Sequence, residues 1–343
     1  MRATVDRAGL DSHGRSSKVQ VRRVRKSDLA RARDVIELTF GDFFERQLGT
    51  RPRQPFGGAQ YVHHRWLMEP WGCFVAEEDG GKIVGTVLAV AWGTVGVVGP
   101  MAVLTNHQNQ KIGQQLLRAV QEFFDENKVT LQGLASYPSS PKHLTLFHKF
   151  GFRPKSLTAV MSRALERGPG KGLPARAAKP GLTVRRFSTL EEGRKKAALA
   201  RMHRMTGAIC RGMDLSKEVE IVDGLALGDT LLLERDRDLV GFAIFHTPGV
   251  SEAPVGALYV KFLAIDPGDR RVEHFEQMVG ALEELAHELS IQRVILPVYV
   301  RYAVAYATLL RLGYQIEHTM VRMQRGKQED YEDSTHLVLD DWR

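Results

Sequence analysis

The chain has 343 residues, of which 43% are hydrophobic and 26% are charged, and its formal net charge is +8. This composition is typical of globular proteins and excludes a wholly disordered or collagen-like chain, while the length favours two domains over one. No window of about 18 uninterrupted apolar residues occurs, and no apolar segment stands near the N-terminus. We therefore expect neither a membrane span nor a secretory signal.

The net charge and the two cysteines limit the kinds of partner and the cellular compartment that we expect for the protein. The basic balance favours anionic partners. No zinc-finger, RNA-recognition or helix-turn-helix signature accompanies it, so nucleic acid is not an expected partner. The two cysteines are too few for a disulfide framework or a zinc site, and they fit a reducing, cytoplasmic compartment. Cys73 is expected in a core strand, whereas an exposed position stays open for Cys210.

The first half predicts a mixed unit in the order β-α-α-β-β-β-α-β-α-β. Its runs of hairpin-connected strands do not fit a plain Rossmann alternation. Apolar residues recur at helical spacing from Ile112 to Phe124, which predicts one buried helix face. The predicted strands are 19–24, 73–79, 82–92, 94–104, 130–136 and 152–163, and the predicted helices are 28–40, 111–126 and 141–150, with an irregular or helical, aromatic-rich stretch at 41–70.

The second half repeats the first. Four short matches occur in the same order with offsets between 156 and 163 residues, which indicates two copies of one domain. The matches are Val21–Val24 with Val184–Phe187, Val84–Gly85 with Val240–Gly241, Ala102–Val103 with Ala264–Ile265, and Gly151–Phe152 with Gly313–Tyr314. The predicted organisation is a tail at 1–17, a domain at 18–163, a Gly-, Pro- and Arg/Lys-rich linker at 164–181, a domain at 182–326 and a tail at 327–343.

The segment 98–118 joins a strand end, a polar turn and a helix start. The first turn of a helix leaves N–H groups unpaired and carries a positive partial charge, and Lys111 adds a formal charge there. Such a turn can hold a phosphate or a pyrophosphate. An ordinary strand-to-helix connection has the same pattern, so this segment alone does not decide between the two.

Together with its neighbours, this segment resembles the acetyl-CoA signature of the GCN5-related N-acetyltransferase (GNAT) family. Met101–Val103 match the strand end, Gln108–Gly113 match the loop, and Ser140–Phe152 match a later element that ends in Gly-Phe. The strand order extends the resemblance over 18–163 and, more weakly, over 182–326. It implies an α/β (α+β) fold of two tandem GNAT-like domains, each a mixed, mostly antiparallel sheet flanked by helices.

The resemblance also implies a ligand and its binding residues. Acetyl-CoA is the implied co-substrate, attacked directly by an amine, and no metal is implied. The cofactor-binding residues that it implies are Met101, Ala102, Val103, Gln108, Asn109, Gln110, Lys111, Ile112, Gly113, Gln114, Ser140 and Phe147.

The chain departs from the family pattern at several of these positions. Lys111 occupies the place of the first loop glycine, and Phe147 stands where the family has the tyrosine that protonates the departing thiolate. In the second copy, Glu273 and Phe275 replace both loop glycines, and Leu309 takes the tyrosine position. A carboxylate repels phosphate, so we expect that the second copy does not bind CoA in the family's way.

Few residues are candidates for proton transfer or acceptor binding. His143 shares one helical face with Ser140 and Phe147 and can replace the missing tyrosine as acid, while Glu77, near a strand end, can act as a base through water. His63 and Trp66 lie in the aromatic-rich region where the fold shapes the acceptor pocket. A packed histidine, a solvated hairpin tip and core aromatics are the structural alternatives for these residues.

The function that this reading predicts is transfer of an acetyl group from acetyl-CoA to a primary amine of a small molecule, in the N-terminal domain. The protein is expected to be a monomer or a homodimer. A different class stays open as the alternative, namely a non-catalytic CoA-binding or scaffold protein with a GNAT fold. The missing tyrosine, the altered loop and the divergent second copy favour that alternative.

Overall fold

Two sets of strands and helices follow one another in the same order, in a computed structural model that describes residues 19–52, 54–165, 181–326, 331 and 335–343. The N-terminal half contains β1 (Val19–Arg23), α1 (Leu29–Leu48), α2 (Tyr61–Met68), β2 (Cys73–Glu78), β3 (Lys82–Trp92), β4 (Val95–Val103), α3 (Ile112–Glu126), β5 (Leu131–Ser136), α4 (Pro141–Lys149) and β6 (Arg153–Ala164). This is the predicted order, with α1 continuing past the predicted end at Phe40.

The C-terminal half repeats that order and adds one strand. It contains β7 (Leu182–Arg186), α5 (Glu192–Ile209), α6 (Ser216–Gly224), β8 (Gly228–Arg235), β9 (Asp238–His246), β10 (Ala257–Ile265), α7 (Arg271–Glu288), β11 (Arg293–Tyr299), α8 (Ala303–Arg311), β12 (Gln315–Gly326) and β13 (Leu337–Asp340). The predicted linker lies mostly outside the described residues, as does the tail at 1–17. The described part of 327–343 includes β13.

The thirteen strands that the structure describes belong to one sheet, ordered β1-β2-β3-β4-β5-β12-β6-β11-β10-β9-β8-β7, with β13 beside β10. Equivalent strands of the two halves stand at equal distances from the centre. The long strand that ends each repeat pairs with the other half: β6 pairs with β11, and β12 pairs with β5. β6 and β12 also pair with each other. The halves therefore share a continuous ladder. The sheet is mostly antiparallel and is flanked by helices, which confirms the predicted fold class.

The apolar face predicted for α3 is buried. Ile112, Leu116, Val120 and Phe124 have relative exposures of 0–1%, and they pack against β-strand residues such as Val87. Burying such side chains contributes about 1.5–3 kcal/mol each. Both cysteines are buried, and neither forms a disulfide within the described structure. Cys210 therefore takes a core position rather than an exposed one.

An ion pair anchors β13 inside the protein. The Arg322 guanidinium donates from one nitrogen to both Asp340 oxygens, at 2.9 and 2.8 Å. The guanidinium also lies over the rings of Trp342 and Tyr299, with its Cζ atom 3.2 and 4.4 Å from their centroids. The Tyr331 hydroxyl donates to Asp340 at 2.6 Å. The chain end is thus held against β12 by charge and by aromatic packing.

Among the residues that the structure describes, none of the helices combines the length and the apolar character that crossing a membrane requires.

Candidate active site

A cavity opens where β4 and β5 separate. The two strands pair in parallel only over Val95–Val97 and Leu131–Gly133, although β4 continues to Val103. Strand residues beyond the last pair line a cavity of about 1560 Å³. Separated strands leave backbone N–H and C=O groups that an extended ligand can pair with.

One end of the cavity is formed by the loop between β4 and α3. Asn109 and Lys111 have left-handed backbone conformations, with φ of 66° and 63°. The N–H groups of residues 109–113 form no hydrogen bond with any residue that the structure describes. Successive free N–H groups at the positive end of a helix make an anion site. This geometry fits a phosphate or a pyrophosphate.

Gly113 faces the cavity, and the fold itself does not need a glycine there. An added Cβ would meet Leu146 at 3.7 Å and Met101 at 4.0 Å, which are ordinary contacts, and the backbone is not left-handed. The missing side chain therefore leaves space on the cavity side, where Gly113 belongs to the lining. Close approach of a ligand to the backbone is a physical reason for such a glycine.

Hydrogen bonds of Gln108 hold the loop in place. Gln108 donates to the Val103 carbonyl at 3.0 Å and accepts from Lys142 at 2.9 Å, so it links the strand end to α4.

The cavity lining is rich in cations. Basic side chains outnumber carboxylates seven to three in the lining. They are Arg33, Arg51, Arg65, Lys111, Lys142, Lys149 and Arg343, against Glu37, Glu252 and Asp341. A polyanionic ligand suits this cavity better than a polycation.

Replacing Lys111 by glycine is expected to separate backbone strain from charge. A left-handed conformation costs a residue with a Cβ about 1 kcal/mol, so Lys111→Gly should stabilise the protein by up to about that amount. Loss of the charge should weaken binding of a phosphate or pyrophosphate group at the loop by about 3-fold to 10-fold. Lys128→Gly is the matched control, because Lys128 is also left-handed (φ 57°) and is not part of the cavity lining. Urea denaturation and calorimetric titration measure the two effects, and equal weakening of binding in both variants would contradict the role of the Lys111 charge.

The other end of the cavity is closed by residues 341–343, which follow β13. Ala135 lies on the edge of β5 beyond its last pair with β4. Its N–H donates to the Trp342 carbonyl at 3.0 Å. The Trp342 ring lies directly on Gly133, where an added Cβ would be 1.9 Å from a ring carbon. Asp341 and Arg343 line the cavity. The C-terminal half therefore supplies one wall of a cavity whose loop belongs to the N-terminal half.

Behind this wall, buried charges from both halves form a chain of ion pairs. Glu252 contacts Arg65 at 2.6 Å and Lys261 at 2.7 Å, and Asp341 contacts Lys261 at 3.4 Å and Arg343 at 2.9 Å. Burial opposes ionisation of Glu252 and Asp341. The neighbouring cations outweigh that effect and hold the pKa of both carboxyl groups below their usual range. Both carboxylates are therefore ionised at neutral pH.

An aromatic wall lies between the two ends. Phe40 stacks on Phe56 with ring centroids 4.2 Å apart, and Phe43 and Phe44 pack against Tyr137 at 5.3 and 5.5 Å. These five residues line the cavity. Rings at these separations make favourable contacts with one another and present an apolar surface to a ligand.

His143 and Tyr137 flank Phe43 and both face the cavity. Burial lowers the pKa of His143, and Lys142 and Arg46 lower it further, so the imidazole is neutral at neutral pH. Burial raises the pKa of Tyr137, so the phenol keeps its proton. The Tyr137 hydroxyl forms no hydrogen bond with a described residue.

The structure brings most of the predicted site residues together. His143 lines the cavity, as do the predicted cofactor residues Met101, Val103, Gln108, Asn109, Lys111, Ile112, Gly113, Gln114 and Phe147. The described lining does not include Ala102, Gln110, Ser140, Glu77, His63 and Trp66.

Those last residues have other surroundings. Ala102 is 2% exposed and packs in the core on the α1 side of the sheet, and Ser140 is buried where α4 begins. Glu77 on β2 forms an ion pair with Arg22. His63 and Trp66 stack on each other along α2, 6.2 Å apart.

Sequence reasoning missed Tyr137, Glu252, Asp341 and Arg343. Tyr137 directly follows a predicted strand, which is a signal for a site residue at a strand end. The apolar run Leu337–Leu339 has a strand-like composition. No feature of the sequence indicates which strand it joins, because that depends on the contacts of β10 and β12.

In the C-terminal half, the corresponding gap is filled. β10 pairs with β11 over Ala257–Tyr259 and then with β13 over Phe262–Ile265. Ala264–Ile265 repeat Ala102–Val103. β13 therefore covers the edge of β10 that corresponds to the cavity-lining edge of β4 in the N-terminal half. Phe275, at the repeat position of Gly113, is fully buried. A ligand could reach this edge only by displacing β13.

A second polar cluster lies between α2, α6 and β9. The ligand atoms of His64, Glu218 and His246 lie within 4.8 Å of one another, a set that can hold a divalent metal ion. In the structure, Glu218 is hydrogen-bonded by His64 at 2.9 Å and by Trp92 at 3.0 Å. His246 Nδ1 accepts from the Glu252 N–H at 3.4 Å, which places the ring proton on Nε2, toward Glu218. These contacts describe a hydrogen-bonded network between the halves.

Comparison with known proteins identifies the type of domain. Residues 69–154 match the family model described as the acetyltransferase (GNAT) domain, a range that contains β4, the loop, α3 and α4. No curated protein sequence is significantly similar to the chain.

Solved structures share the fold over nearly the whole chain. A protein from Pyrococcus horikoshii described as an acetyltransferase is 14% identical, with a TM-score of 0.62 over 100% of this chain and 99% of its own. A GCN5-related N-acetyltransferase from Sphaerobacter thermophilus is also 14% identical, with a TM-score of 0.61 over 91% and 98%. A tandem GNAT protein from the clavulanic acid biosynthesis pathway is 12% identical, with a TM-score of 0.57 over 91% and 100%. The resemblance and the fold predicted from the sequence are thereby confirmed.

Proposed function

We propose that this chain, whose residues 69–154 match a GNAT acetyltransferase domain, transfers an acetyl group from acetyl-CoA to a primary amine of a small molecule. The observation that carries the proposal is the loop at 109–113. Its N–H groups are unpaired within the described structure, it borders a cavity, and it begins a helix. Such a loop suits the CoA pyrophosphate.

The rest of the cavity suits the remainder of acetyl-CoA. Lys111 belongs to the loop, and Lys142 and Lys149 line the same cavity, so these three cations can neutralise phosphate charge. The part of β4 that no longer pairs with β5 runs from the loop toward Gly99, and a pantetheine arm can lie along that edge with its amides paired to the strand. The thioester then lies near the aromatic wall and residues 341–343.

The proposed reaction is direct attack of a neutral amine on the thioester carbon. The C–N bond forms and the C–S bond breaks. The nitrogen loses one proton to solvent water in the open cavity, and the CoA thiolate gains one from an acid that is then reprotonated by water. Tyr137, whose phenol remains protonated, is proposed as the acid for the thiolate, the role for which the sequence suggests His143. Asp341, ionised beside Arg343, is proposed to accept a hydrogen bond from the amine and orient it.

Removing the Tyr137 hydroxyl should slow the transfer step selectively. Tyr137→Phe is expected to lower kcat by about 10-fold to 10²-fold, at the low end for general acid catalysis because a thiolate can also leave unaided. KM for acetyl-CoA should hardly change. His143→Ala, made on the other side of Phe43, should have a smaller effect. Steady-state rates measured across pH distinguish the two residues. A larger loss of kcat in His143→Ala than in Tyr137→Phe would return the acid role to His143.

Two measurements on the wild-type protein test the proposed function. Calorimetric titration with acetyl-CoA should show micromolar binding, and thiol release should depend on an added amine. Binding without transfer to a broad amine panel would favour the non-catalytic scaffold alternative. The absence of binding would overturn the acetyltransferase proposal. We further propose a monomer or a homodimer, which light scattering distinguishes.

A further inference from the structure

We infer that the acceptor amine carries a carboxylate and an apolar, preferably aromatic, side chain, as an aromatic α-amino acid does, and that Arg343 binds the carboxylate. This inference rests on the proposed function, because it concerns the acceptor end of the same cavity. It names a substrate class and a specificity-determining residue.

The first support is the unoccupied bonding capacity of Arg343. Its Nε donates to Asp341 at 2.9 Å, and the guanidinium lies over the Tyr259 ring at 4.6 Å. Its two terminal nitrogens form no hydrogen bond with any residue that the structure describes. The side chain is 26% exposed and lines the cavity. A guanidinium fixed on one side and free on the other presents the fork that binds a carboxylate through two hydrogen bonds.

The neighbouring charges complete a site for a zwitterion. Asp341 belongs to the cavity lining beside Arg343, with its side chain 2% exposed, so a carboxylate can lie against Arg343 and an ammonium or amine nitrogen near the charge of Asp341. The seven-to-three excess of basic side chains in the lining disfavours acceptors with several amines, such as polyamines and aminoglycosides. An added carboxylate reduces that repulsion.

The apolar wall determines the rest of the acceptor. Phe40, Phe43, Phe44 and Phe56 are half-buried and face the cavity, which leaves ring surface available to a ligand. A benzyl-type side chain can bury its faces there and stack on these rings. A small polar acceptor would leave this surface in contact with water.

The Arg343 site is separate from the CoA phosphates. An added Cβ at Gly99 would be 3.5 Å from the backbone carbonyl carbon of Arg343, which places Arg343 beside the middle of β4. The phosphate loop begins after Leu104. Five strand residues at about 3.3 Å each separate the two positions by roughly 16 Å. Arg343 therefore faces the thioester end.

The test uses a matched pair of acceptors. L-phenylalanine and 2-phenylethylamine share the ring and the amine and differ in the carboxylate, and spermidine represents the polycations. With acetyl-CoA and wild-type protein, kcat/KM for phenylalanine should exceed that for 2-phenylethylamine by about 30-fold, and spermidine should be the poorest acceptor. Arg343→Gln should remove most of the difference between the first two. Arg51→Gln, which changes a lining arginine that Asp42 already binds, should leave it intact.

Each outcome separates this inference from the proposed function. Acetyl-CoA binding with equal or better transfer to 2-phenylethylamine, or with transfer to neither amine, overturns the inference and leaves the cofactor assignment standing. Failure of the wild type to bind acetyl-CoA overturns the proposed function, and the inference with it. If Arg343→Gln does not fold, the ratio of kcat/KM for phenylalanine to kcat/KM for 2-phenylethylamine in the wild type still tests the inference.

Discussion

Replacing Gly113 by glutamate is expected to weaken acetyl-CoA binding by more than 10²-fold. The new carboxylate would stand beside the free N–H groups that we assign to the pyrophosphate. Two like charges about 4 Å apart near a protein surface repel by about 4 kcal/mol at an effective dielectric constant of about 20. A factor of 10² in affinity corresponds to only about 2.8 kcal/mol. Calorimetric titration of the variant beside the wild type measures the effect.

The fold should tolerate this substitution, because an added Cβ at Gly113 meets only ordinary contacts. Gly193→Glu is the matched control. Gly193 lies in α5, nothing stands within 4 Å of its added Cβ, and it does not line the cavity. Wild-type affinity in Gly193→Glu with none in Gly113→Glu places the cofactor on the loop. Retained binding in Gly113→Glu would mean that acetyl-CoA binds elsewhere.

Replacing Asp340 by asparagine is expected to lower the free energy of unfolding by about 3–5 kcal/mol, because it leaves a buried guanidinium without its counter-charge. Arg322 and Asp340 are 1% and 0% exposed in their side chains. Asparagine keeps the shape but not the charge. Since Asp340 ends β13, its loss should also disturb Trp342 and the residues that close the cavity. Urea denaturation measures the stability, and acetyl transfer reports on the cavity.

Asp125→Asn is the control for this second prediction. Asp125 pairs with Arg325, on the same strand as Arg322, at 3.1 Å, but the Asp125 side chain is exposed, at 56%, and that of Arg325 is partly exposed, at 33%. Such a pair contributes about 0–1 kcal/mol. The double variant Arg322→Met with Asp340→Leu should be more stable than Asp340→Asn, because no unpaired charge is buried. A loss in Asp340→Asn no greater than that in Asp125→Asn would show that the buried pair does not anchor β13.

Several elements could be predicted from the sequence because their signals are local. The hairpin of β2 and β3 follows from strand-like residues on both sides of a Gly-Gly turn, and α3 follows from apolar residues at a period of about 3.6. The loop at 108–113 could be predicted because strand, turn and helix are consecutive. For the same reason, most of the predicted cofactor residues lie together in the cavity lining.

Other residues could not be placed by local signals. Glu77 has the chemistry of a base, but its ion pair with Arg22 on β1 is set by strand pairing between residues distant in the chain, in which Glu77 lies opposite Gln20. Cys210 has polar neighbours in the sequence and is buried because the surrounding helix and loop pack together. The acceptor end combines Tyr137 with Asp341 and Arg343, which are about 200 residues further along the chain.

The sequence by itself determined the order of elements, the repetition of that order and the strand–turn–helix at 98–118, because hydrophobic period, turn residues and motif spacing are properties of short segments. Only the tertiary structure decided that β6 and β12 join the opposite halves, that β13 fills the second gap, and that residues 341–343 close the first. Backbone ladders and buried charges must find partners somewhere in the fold, and which partners they find depends on contacts that no short segment encodes.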